Sequence, residues 1–158
     1  NVLGGVLAGG VGVAPGVDAR RAAAFREAFQ ERWGAEPTLD AHYLFDTVTV
    51  LLMGLRASAA ENPGVNLTSD ASYAASCREV LETSREGATV DPQGALSGAA
   101  YERASMDVDY VGLTGPVELT PRGSSGDGLV EIWRIPPGID GRIETVEVRS
   151  TRDLLDPS

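Results

Sequence analysis

All thirteen basic residues of this 158-residue chain are arginine, and lysine is absent. That removes Schiff-base chemistry, a Walker-type phosphate loop and a kinase-type lysine together. One cysteine, Cys77, and one histidine, His42, are too few for a Cys/His zinc site, and a lone thiol makes no intrachain disulfide. Positive charge is scarce as well: 23 acidic residues against 13 arginines give a net charge of −10. The arginines are scattered, so a concentrated cationic face for nucleic acid or for an anionic membrane surface is not expected. No low-complexity block or internal repeat occurs.

What is present fits one globular domain. A chain of this length buries about 70% of its unfolded surface as a single unit. Residues 1–16, NVLGGVLAGGVGVAPG, are uncharged and glycine-rich. They lack a cationic n-region and fall short of the ~20 apolar residues of a spanning helix, so residues 2–13 read as a buried strand ended by Pro15 and Gly16. The spacing is wrong for a dinucleotide loop, because Pro15 stands where the third glycine belongs.

Helical periodicity follows. Asp18 stands at an N-cap position, and Ala22, Phe25, Phe29 and Trp33 form one apolar stripe before Gly34 stops the helix. A second helix runs from Pro37 and Thr38 to about Ala60 and is apolar on nearly every side, which predicts cover all round. Residues 61–69 are a surface loop with an Asn66-Leu67-Thr68 sequon. A third helix over about 72–86 places Tyr73, Cys77, Val80 and Leu81 on one face, which predicts a buried, unreactive thiol. Residues 93–103 carry a weak helical signal. From Val108 the period is two: a short strand, a second strand carrying Glu118, then a hairpin of 128–135 and 142–149 whose turn chemistry is Asp140-Gly141. Apart from residues 2–13, no strand is expected before Pro92, and the tail from Ser150 carries no signal.

The candidates for chemistry have simpler readings. Asp107 and Asp109 share a strand face, as metal-binding carboxylates do, but read as a solvated strand edge. The Ser124–Gly128 stretch is half a calcium loop without its remaining ligands, and reads as a turn. His42 has no nucleophile signature to serve. Catalytic residues, metal sites and cofactors are therefore not expected.

Two blocks are more specific than the composition. Residues 107–134 run through Gly112-Leu113-Thr114-Gly115-Pro116 into strands and a Gly/Ser/Asp loop; upstream, Phe25, Phe29 and Trp33-Gly34 precede Glu36-Pro37 and then Ala41-x3-Phe45-Asp46-x-Val48. In order and spacing these resemble two blocks of the type I periplasmic solute-binding proteins, the Leu/Ile/Val-binding family of ABC importers. The first corresponds to its closing "I-x-Y-x-G-x-S/T-G-x-hydrophobic-x-F-D-x-x-G-D" segment. The second corresponds to its "F-x3-F-x3-Y/F-G-x-x-P … A-x-x-Y-D-A-V" helix pair. The "F-D" is Glu118-Leu119-Thr120 here, and the "G-D" is spread over 123–127.

The resemblance implies an α/β fold, part of a two-lobe architecture with helices packed on a sheet and a C-terminal hairpin. Residues 1–158 would be its last third, with about 1–115 in one lobe and about 116–149 crossing towards the other. It implies non-catalytic binding of a small polar solute, an amino acid or a related compound, for an ABC permease on the periplasmic or extracytoplasmic side. The alternative is a ligand-sensing domain of a receptor or an amide-responsive regulator. The aromatic of "Y-D-A", Phe45 here, would line the cleft, with Tyr43 beside it as a second ligand-binding candidate. The chain alone is expected to self-associate and to bind amino acids weakly.

Overall fold

The computed structural model describes residues 8–61, 64, 69, 78, 80, 87–96, 108–120, 122, 127–137 and 142–155. In chain order its elements are β1 (Val11–Pro15), α1 (Ala23–Trp33), α2 (Leu39–Glu61), β2 (Ala88–Val90), α3 (Pro92–Leu96), β3 (Val108–Gly112), β4 (Gly115–Pro116), β5 (Leu129–Arg134), β6 (Glu144–Ser150) and α4 (Thr151–Leu155). Helices combined with two small sheets make this an α/β chain. One sheet is antiparallel throughout, in the order β1-β5-β6; the other, β2-β3-β4, pairs β2 with β3 in parallel and β3 with β4 antiparallel.

Local chemistry explains the helix ends. The Asp18 side chain accepts from the backbone N–H groups of Arg20 and Arg21, so it caps a turn ahead of α1, and the regular helix begins only at Ala23. At the other end Gly34 takes φ 69°, the left-handed conformation that costs a side-chain-bearing residue energy, and its N–H closes on the Gln30 carbonyl at 2.8 Å. Strand β3 alternates as a half-covered strand should, with Val108 and Tyr110 fully buried.

Among the described residues, two clusters form the core. Val50 and Met53 of α2 meet Val90, Val108 and Tyr110 of the β2–β3 pair, while Ala22 and Phe25 of α1 meet Leu113 just beyond β3. Phe45 packs against both clusters, its ring 4.8 Å from that of Phe25, and so joins them.

Several sequence expectations are corrected. β2 is a strand before Pro92, and three residues are too few for a period of two to register. β1 ends at Pro15 as read, but it is not buried: Val11 and Val13 are exposed, because β1 packs edge-on against β5 with one face open, and residues 2–7 of the expected strand lie outside the described residues. Trp33 is 67% exposed beneath Arg32, because its turn of α1 extends past the surface that covers Phe25. α2 is covered on one side only: Thr49, Val50, Met53, Ala57 and Ser58 are buried, while Leu44, at 63% exposure, Val48 and Leu52 are open. Glu118 follows β4 in irregular chain and not in a strand. The tail after Ser150 forms α4, with the Ser150 hydroxyl accepting from the Asp153 N–H.

The hairpin forms as read, with a register shift between Ile132 and Trp133. Its exposed Arg134–Glu144 pair, at 3.2 Å, contributes less than about 1 kcal/mol. Cys77, Tyr73, Leu81, the Asn66 sequon and the Asp140-Gly141 turn lie outside the described residues; of the third helix, Arg78 and Val80 are described, and both are helical.

Candidate ligand cavity

A carboxylate organises the region where α2 meets the turn between β3 and β4. Asp46, 3% exposed, accepts through Oδ1 from the Tyr110 hydroxyl and the Leu113 N–H, both at 2.9 Å. Its Oδ2 accepts from the Thr114 N–H at 2.8 Å and from the Thr114 hydroxyl at 2.7 Å. A buried charge is tolerated where every lone pair finds a donor, and here the donors come from residues 64 to 68 positions away. Leu39–Ala60 is long and apolar enough to cross a bilayer by length and composition. Asp46 ties this helix to β3 and to the turn between β3 and β4.

Beside this junction lies a cavity of about 890 Å³, within the range of small-molecule sites. Val13 and Pro15 of β1 and Leu129 and Val130 of β5 form one wall. α2 faces it with Tyr43, Thr47, Val50 and Leu51, and Thr114 and Pro116 connect the two sides. The walls are mainly aliphatic, so the favourable term for an occupant is removal of apolar surface from water.

Of the two ligand candidates, Tyr43 lines the cavity and Phe45 is not among its described walls. Two residues apart on a helix, the side chains diverge, and Phe45 turns into the core. Burial, with Asp46 nearby as a smaller cause, holds the Tyr43 hydroxyl above its ordinary range.

His42 is buried, its ring edge-on to Phe25 at 5.2 Å and its Nδ1 2.8 Å from the Thr38 carbonyl oxygen. Its Nε2 has no hydrogen-bond partner among the described residues, and the ring is a packed core element. Asp109, read from sequence as a solvated edge, is half-buried; burial and then Glu118 raise its carboxyl above the usual range. Asp107 and residues 124–126 lie outside the described residues.

Asp127 is a structural clamp at the cavity that the turn reading missed. Its side chain is 7% exposed and takes the Thr151 hydroxyl at 2.7 Å, its neighbour's Gly128 N–H at 2.8 Å and the Arg152 N–H at 3.4 Å. Both Asp127 and Thr151 line the cavity, so this clamp sets α4 against its rim. The signal available in the sequence was Ser150-x-x-Asp153, the spacing of a capping box, although the helix it opens is only five residues long.

The Thr151 hydrogen bond is the chief cause that lowers the Asp127 carboxyl below its usual range, with burial opposing and the Gly128 and Arg152 contacts adding. A carboxylate lowered in the folded state stabilises the fold above its unfolded pKa and loses that contribution as pH falls through the folded value. Stability is therefore expected to decline below about pH 4. Asp109, raised in the folded state, acts with the opposite sign. Urea midpoints across pH 2–6 isolate the clamp as the difference between the parent and Asp127→Asn, whose curve should be flatter at its acid end (about pH 2–4).

Comparison of the chain with protein-family models, curated proteins and solved structures finds no match.

Proposed function

We propose that the chain is part of a two-lobe type I periplasmic-binding-protein fold that captures a small solute without chemical change, for an ABC importer working outside the cytoplasmic membrane. The observation that carries this reading is the 890 Å³ apolar cavity at the junction where Asp46 joins the two sequence blocks of the resemblance, Phe45-Asp46 and Leu113-Thr114. A rigid junction beside a concave apolar wall is suited to holding a solute. Tyr43 and Thr114 supply polar edges to the lining.

Chemical-shift titration of the chain with leucine, valine and phenylalanine tests this. Weak saturable shifts are expected at Tyr43, Thr47 and Leu129. Tyr43→Ala should weaken binding by about 1–2 kcal/mol, the apolar contact of one partly exposed ring, with little change in the unfolding midpoint. Phe45→Ala should do the reverse, lowering stability by about 2–3 kcal/mol because the ring joins two core clusters. Absence of any shift at the cavity in the presence of all three amino acids would remove the reading.

The same proposal includes self-association. Leu44, Val48 and Leu52 share one face of α2 and are open to solvent. Sedimentation velocity over the micromolar range should show species larger than a monomer, and Leu44→Glu should shift the distribution towards monomer.

A further inference from the structure

The charge facing the cavity has one sign. Among the described residues its walls carry Asp46 and Asp127 and no arginine. Arg152 reaches Asp127 at 3.7 Å and Glu118 at 3.5 Å with its own side chain 68% exposed, so one solvated guanidinium is shared between two acids. The excess negative charge acts on neighbours: Asp46 adds to the burial that raises the Tyr43 hydroxyl, and Glu118 adds to the burial that raises the Asp109 carboxyl. Both cavity carboxylates are already occupied, Asp46 by four donors and Asp127 by Thr151, Gly128 and Arg152. A ligand therefore meets their field, at a distance, and an otherwise aliphatic surface.

Resting on the solute-binding reading above, we propose that the cavity selects its solute by net charge: on one apolar body a cationic amine binds more tightly than a zwitterionic amino acid, and a carboxylate without an amine binds most weakly. Low polarity at the walls lengthens the reach of the two carboxylates, so a cationic head group at the mouth is attracted without a direct hydrogen bond, and an anionic one is repelled by the same field. Shape alone does not distinguish solutes that share an apolar body.

Three probes with one branched body separate charge from shape: isoamylamine, isoamyl alcohol and isovalerate, titrated into the chain at neutral pH and followed by amide chemical shifts at the cavity residues. The dissociation constants should rise in that order, with isovalerate weaker than isoamylamine by roughly tenfold or more. Added salt should compress the ratio by weakening the amine and strengthening the carboxylate. Isovalerate binding as tightly as isoamylamine would overturn charge selection while leaving solute binding in place. If none of the three shifts the cavity residues, the solute-binding reading falls and this inference falls with it.

Discussion

Asp46→Ala should be the most destabilising single substitution in the described part of the chain. Removing the carboxylate leaves the Leu113 and Thr114 N–H groups and the Tyr110 and Thr114 hydroxyls facing a buried void. Each unsatisfied buried donor costs about 1–3 kcal/mol, partly recovered where a hydroxyl turns to another acceptor or water enters, so a loss of about 4 kcal/mol is expected. For a chain of this size that corresponds to a fall of about 8–16 °C in Tm. Asp46→Asn keeps an acceptor at one position but turns an amide donor towards others, and should lose about half as much. Thermal unfolding followed by circular dichroism checks both. A fall in Tm under about 3 °C for Asp46→Ala would mean that the β3–β4 turn holds its shape without the helix.

Gly112→Ala is expected to be the second largest effect, about 3 kcal/mol, from steric conflict and not from backbone conformation. A Cβ on Gly112 would fall on the Asp46 carboxyl group, which is held by its four donors and has no room to yield. Nor is φ positive at this position, so the cost arises entirely at the contact. The two substitutions should be strongly non-additive, because the smaller side chain in Asp46→Ala vacates the space the new methyl needs. In that background Gly112→Ala should cost less than about 1 kcal/mol, giving a coupling of about 2 kcal/mol in urea unfolding. Additive losses would place the conflict elsewhere than at the carboxylate.

Both predictions concern contacts between residues more than sixty positions apart, and this is where sequence reading reached its boundary. α1 and α2 were legible because apolar side chains three and four apart report a helical face locally, and Gly34 reports a stop through its own backbone preference. The β5–β6 hairpin was legible from alternation flanked by turn residues. β2 and α4 were not, since three and five residues are too short for periodicity, although Ser150 and Asp153 carried a capping signal for α4. Which faces are covered was illegible too. The stripe through Phe25, Phe29 and Trp33 is uniform in sequence, yet it ends exposed at Trp33.

The sequence by itself determined the α/β class, the two long helices, the terminal hairpin and an acidic chemistry without lysine, because these depend on composition and on spacing between near neighbours. Only the tertiary structure decided that Asp46 is a buried junction, that Tyr43 faces the cavity while Phe45 joins the core, and that Asp127 holds α4 at the cavity rim. Those outcomes depend on which distant donors and surfaces arrive beside a side chain, and a hydrogen bond or an apolar contact is satisfied by whatever group the fold brings within a few ångströms, regardless of its place along the chain.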